Sequence, residues 1–73
     1  MERILEMLKS QFPLIDFEYE DHLVTGGHLD SLAVVGIIAK LEDMFDISIT
    51  MEYIQPDNFE SVRAMWNMVQ ELQ

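Results

Sequence analysis

The sequence predicts an all-α fold: a small four-helix bundle with three main helices, one short helix and a long loop between helices one and two. Three observations predict it. Apolar residues recur at three- and four-residue steps in three separate segments, Ile4 to Phe12, Val34 to Phe45 and Val62 to Leu72. Residues suited to capping free backbone N–H groups stand at the heads of the second and third segments: Asp30 or Ser31, and Ser61. The one stretch that alternates like a strand, Asp16 to Glu20, has no partner strand elsewhere to pair with.

The first helix carries Ile4, Leu5, Leu8 and Phe12 on one stripe, and Pro13 stops it by pushing Phe12 out of the α region. The long loop follows. Its apolar residues Phe17, Tyr19, Leu23 and Val24 are expected to tuck against the helices, and Gly26-Gly27 supplies a bend. The second helix runs from Ser31 to about Phe45, with Val34, Ile37, Ile38, Leu41 and Phe45 facing the core. Thr50 to Ile54 and Pro56 to Phe59 each read as a single turn, one of them the short third helix. The last helix presents Val62, Met65, Trp66, Val69 and Leu72. The six methionines and Trp66 read as core filler.

Composition narrows the function. A 73-residue chain is one domain, residues 1–73, and buries only about 60% of the surface its unfolded form exposes, which leaves little room for a deep enzyme pocket. Fourteen acids against four bases give a net charge of −10, which repels nucleic acid and anionic membranes and favours partners with basic docking patches. With 49% hydrophobic residues the chain still has enough apolar surface to fold. The absence of cysteine excludes disulfides, thiolate metal sites and cysteine nucleophiles, and fits a cytoplasmic protein. Glu2, Arg3 and Glu6 interrupt the N-terminal stretch, so neither a signal peptide nor membrane insertion is expected. The chain is read as a monomer.

The second helix has a further apolar stripe outside its core face: Leu32, Val35, Gly36 and Ala39, continued by Glu42 and Asp43. A short chain cannot bury a helix on two faces, so this stripe is the candidate docking surface for a partner. Gly36 costs a helix about 1 kcal/mol relative to alanine and needs a reason, either close approach of a partner or relief of crowding against a neighbouring helix.

Ser31 opens this helix, where free N–H groups and the positive end of the helix dipole favour an anion. Asp30-Ser31-Leu32, followed by Leu41-Glu42-Asp43-Met44-Phe45 with Ile47 and Ile49, and then Asn58, Phe59 and Ser61, resembles the phosphopantetheine-binding acyl and peptidyl carrier family over nearly the whole chain. The resemblance is nearest to discrete D-alanyl-carrier-like proteins. It implies a non-catalytic carrier whose Ser31 receives phosphopantetheine covalently from coenzyme A, through a separate phosphopantetheinyl transferase and magnesium. The terminal thiol of the arm would hold an acyl or aminoacyl group as a thioester. An adenylating acyl or aminoacyl ligase would load it, and a downstream acyltransferase or condensing enzyme would receive the cargo. By the same resemblance Leu32 contacts both arm and partner enzymes, whereas from the residues alone it could simply anchor the helix start. Asp30 helps to present Ser31 or serves only as a cap.

Ala33 and Gly36 stand at positions often acidic in fatty-acid carriers, and with Leu29 and Asn58-Phe59 they lean the expectation toward aminoacyl, peptidyl or D-alanyl pathways. A fatty-acid or polyketide carrier is the alternative within the family. An unmodified acidic helical adaptor is the alternative of another class. The residues offer no catalytic triad or phosphate-cradling loop that would argue for an enzyme. His22 and His28 lack the spacing of a metal site, and the acids from Asp16 to Asp21 lack the order of a calcium loop. Both histidines read as loop residues, with contact between His28 and a phosphate on Ser31, close in sequence, as the lesser alternative.

Overall fold

Local capping sets the helix limits in the computed structural model, which describes residues 1–73. α1 (Glu2–Gln11) stops at Phe12, whose N–H still reaches Leu8 O at 2.8 Å before Pro13 turns the chain away. α2 (Ser31–Phe45) begins where the Asp30 carboxylate accepts the Ala33 N–H, and it ends at Asp46 in the left-handed region (φ 53°, ψ 51°). α3 (Val62–Leu72) begins where Ser61 Oγ accepts the Ala64 N–H at 3.0 Å. The fold is all-helical and has no strand.

The two single turns expected between α2 and α3 both form, as the 3-10 turns Met51–Tyr53 and Pro56–Phe59, and neither extends into a short α-helix. Pro56 explains the break, because it has no N–H to continue a ladder and holds Gln55 extended (φ −132°, ψ 150°). The two turns are tied together by Asn58 Nδ2, which donates to Tyr53 O at 2.7 Å.

Thirteen residues are buried, all of them apolar, and they form one cluster. α1 contributes Ile4 and Leu8, α2 contributes Ile37 and Leu41, and α3 contributes Val62, Met65, Met68 and Val69. Each fully buried aliphatic side chain of this size stabilises the fold by about 1.5–3 kcal/mol before its entropy cost. Val34, Ile38, Phe45, Trp66 and Leu72 pack on the margin of the cluster. The radius of gyration is 11.0 Å, matching the value of about 11 Å expected for a compact chain of this length.

The long loop is anchored at three points, Phe17, Leu23 and Leu29, each buried in the core. Tyr19 departs from expectation: it is 81% exposed, because the turn at Asp16–Tyr19 directs Phe17 inward, against Phe12 at 6.2 Å between ring centroids, and Tyr19 outward. At Gly26 an added Cβ would collide with the His22 carbonyl that accepts its N–H, and Gly27 adopts φ +82°. The bend therefore requires glycine at both places.

α2 has no basic residue in its last turn to balance its carbonyl end. Arg3 of α1 supplies one, donating to Met44 O at 3.2 Å while its guanidinium lies 5.0 Å from the centre of the Phe45 ring. Phe45 in turn meets Trp66 of α3 at 6.0 Å. One aromatic-cationic cluster thus joins all three helices. No helix is long and apolar enough to cross a membrane.

Candidate functional site

Ser31 is the first residue of α2, and it is exposed. The capping work at this helix end is done by its neighbour, since Asp30 Oδ1 accepts the Ala33 N–H at 2.8 Å. Asp30 is therefore a cap, and Ser31 keeps its hydroxyl for solvent or for chemistry. The same arrangement modifies the expectation of an anion at the helix start, because the Asp30 carboxylate already occupies one of the N–H groups there.

Beside Ser31 lies a groove of about 410 Å³. One wall is Val24, Leu29, Val34 and Val35, and the other is Ile54, Pro56 and Phe59. Asp30 is its only charged lining residue, and Ser31 and Gln55 are the others with polar side chains. An apolar trough that opens beside an exposed hydroxyl can shelter a flexible, largely uncharged chain tethered to that oxygen.

The outer face of α2 continues from the groove. Leu32 is 83% exposed and Val35 62%, with Gly36, Ala39 and Asp43 also exposed. Leu32 and Val35 thus leave aliphatic surface open to water next to one hydroxyl. Leu32 is too exposed to anchor the helix start. Glu42 differs from its neighbours: it is half-buried, and its Oε2 accepts the Ile49 N–H at 2.9 Å, so it braces the segment after α2.

At Gly36 no atom lies within 4 Å of the place a methyl group would take, so crowding does not account for the glycine. Gly36→Ala is expected to raise stability by about 1 kcal/mol in urea denaturation, the ordinary helix-propensity gain. A loss of stability instead would show that this face is not open.

Two further positions bear on how the loop before Ser31 is held. His28 is a loop residue, as expected, and its Nε2 lies 3.2 Å from Glu20 Oε2. Glu60, which the pattern of apolar residues does not single out, ties the long loop to the head of α3. Its Oε1 accepts the N–H groups of Val24 (2.7 Å) and Thr25 (3.0 Å), and its Oε2 accepts the Thr25 hydroxyl (2.7 Å). No local signal betrays this, since the partners are 35 and 36 residues away in the chain.

The Thr25 hydroxyl, then the Thr25 amide, hold the Glu60 carboxyl below its usual range; partial burial opposes them, and the Val24 amide and His22 add to the lowering. A carboxyl depressed in the folded state contributes stability that is complete above its unfolded value, about 4.3, and is lost as pH falls through the lower folded value. The stability difference between wild type and Glu60→Gln, measured by urea denaturation, should hold steady from neutrality to about pH 4.3 and shrink below it. A difference that does not change with pH would show that the carboxylate charge is not what binds the loop.

Comparisons with protein-family models, curated proteins and solved structures find no match to this chain. Its site is therefore read from its own geometry. A second cleft, about 470 Å³, lies between the starts of α1 and α3 and the loop, and contains Glu2, Glu18, Glu20, Asp21 and Arg63. It shares no lining residue with the Ser31 groove, and two of its acids are already matched, Glu18 to Lys9 at 3.3 Å and Glu20 to His28. No group of three or more His, Asp or Glu side chains is placed to hold a metal ion.

Proposed function

We propose that this chain is a carrier protein that holds an acyl or aminoacyl group as a thioester on a phosphopantetheine arm attached to Ser31. The observation that carries the reading is the exposed Ser31 hydroxyl at the mouth of an apolar groove, with the exposed Leu32–Val35 face beside it. The two 3-10 turns between α2 and α3 would then stand where the short helix of a carrier four-helix bundle belongs.

The residues suit the group. Ser31 Oγ would hold the group as a phosphodiester, formed at the pantetheine-bearing phosphorus of coenzyme A with adenosine 3′,5′-bisphosphate leaving and the hydroxyl proton passing to a base of the transferase. Asp30 fixes the first turn of α2 so that this hydroxyl stands clear of the helix. Val24, Leu29, Val34 and Phe59 offer an apolar wall to the tethered arm. When bound, phosphopantetheine supplies the thiol that this cysteine-free chain lacks.

Leu32, Val35, Gly36 and Ala39 form the docking face for the transferase, the adenylating ligase and the downstream acyltransferase or condensing enzyme, with Asp43 offering charge to their basic patches. Glu42 acts mainly as a brace. Ala33 and Gly36 favour an aminoacyl, peptidyl or D-alanyl pathway. The groove itself favours a second reading, an uncharged acyl cargo of fatty-acid or polyketide type, because Asp30 is the only lining carboxylate that could meet an ammonium group.

The test is direct. Incubated with coenzyme A, magnesium and a promiscuous phosphopantetheinyl transferase, the intact protein should gain the mass of one phosphopantetheine on Ser31. An unchanged mass, with partner binding insensitive to Ser31→Ala, would leave the acidic adaptor as the better description.

A further inference from the structure

Leu23 links the Ser31 turn to the head of α3 through both polar atoms of its backbone. Its N–H donates to Glu60 O at 3.0 Å, and its carbonyl accepts the N–H groups of His28 (3.0 Å) and Leu29 (2.8 Å). Leu29 leads directly into the Asp30 cap and Ser31, and Leu23 and Leu29 are both buried. The next two residues after Leu23 are fastened by the Glu60 side chain, through the Val24 and Thr25 amides and the Thr25 hydroxyl.

One glutamate thus holds a continuous strip of loop, residues 23–25, by backbone and side chain together. Val24 and Leu29, on either side of the glycine turn, are lining residues of the groove, and Phe59, adjacent to Glu60, is the opposite wall. Glu60 thus joins the loop wall of the groove, which leads into Ser31, to the wall carried by residues 54–59.

We infer that Glu60, with Thr25, is a positioning residue for Ser31: it sets the approach of the Ser31 turn to the enzyme that modifies it. The inference rests on the carrier reading above. Glu60 touches neither the reacting oxygen nor the groove interior, so its effect is on presentation, not on the chemistry. Loss of the side-chain attachment frees residues 24 and 25, leaving Leu23 on the Glu60 carbonyl, and lets the turn sample orientations in which the hydroxyl and the α2 face are no longer offered together, which weakens productive encounter.

The experiment is steady-state phosphopantetheinyl transfer to the wild-type chain, Glu60→Ala, Glu60→Gln and Thr25→Val, with hydrogen exchange of the Val24, Thr25, His28 and Leu29 amides recorded on each. Glu60→Ala should raise the KM for the carrier by about tenfold with kcat within about twofold, since only presentation is lost. Glu60→Gln keeps an acceptor for the two amides and should recover most of the defect. Thr25→Val, which removes one hydrogen bond and keeps the fold, should give a smaller rise.

Ile4→Val thins the core on α1 outside the groove and serves as the destabilised control, expected to transfer at the wild-type KM. A wild-type KM in Glu60→Ala, or a KM that follows thermal stability across all variants including Ile4→Val, overturns the positioning role. A wild-type chain that takes up no phosphopantetheine overturns the carrier reading instead.

Discussion

Ser31→Ala is expected to abolish phosphopantetheine uptake completely while leaving the helices intact. The two halves of that expectation have separate causes. Uptake needs a nucleophilic oxygen at this point of the groove, and alanine has none. The fold tolerates the change because the cap hydrogen bond at the start of α2 belongs to Asp30, and the Ser31 side chain is exposed. An exposed substitution of this kind usually alters stability by no more than about 0.5 kcal/mol. Intact-mass measurement after transferase treatment, beside far-ultraviolet circular dichroism, checks both halves. A retained mass gain would move the attachment to another hydroxyl, such as Ser10 or Ser48, and would remove the basis for the proposed site.

The second large effect is expected at Phe59. This side chain is 1% exposed, sits in the second 3-10 turn and closes the groove wall against the core. A turn of that length has no stability of its own, so its place depends on the side chain it buries. Truncating a buried phenylalanine to alanine costs about 3–5 kcal/mol, against total stabilities of about 5–15 kcal/mol for domains in general. Phe59→Ala should therefore lower the melting temperature by on the order of 12 °C or more, and urea denaturation should report the same loss. A loss below about 1 kcal/mol would mean that the cavity collapses freely and that the turn is not anchored through this ring.

Much of this architecture is legible in the sequence because it is written in local terms. Ile37 and Leu41 are buried where helical periodicity places them, and the Asp30 and Ser61 caps lie beside the helices they begin. Met68 lies off the stripe that periodicity assigns to α3, yet it is 1% exposed: with α1 and the second 3-10 turn both packed on this helix, the apolar arc is wider than one stripe. Aromatic character alone places Tyr19 inside, but in a bent loop neighbouring side chains need not share a direction. The brace at Glu42 and the latch at Glu60 are illegible for a different reason. Each carboxylate meets backbone groups, which carry no residue identity, and the Glu60 partners come from a distant part of the chain. At the candidate site the hydroxyl and the outer face of α2 can be read in advance, while the groove cannot, since its second wall arrives from residues 54–59.

That second wall has a consequence for the life of the chain during its synthesis. Translation delivers Ser31 and the whole of α2 before it delivers Ile54, Pro56 and Phe59, and small domains acquire their structure only when non-local partners are at hand. While the ribosome still holds those later residues, the serine is chemically present but stands beside half a trough, and the loop before it has nothing to fasten to. On the carrier reading, an enzyme that recognises the finished shape would be kept waiting until the last helix begins to emerge. On the same reading, the chain order would offer the serine for modification only once the fold around it is closed.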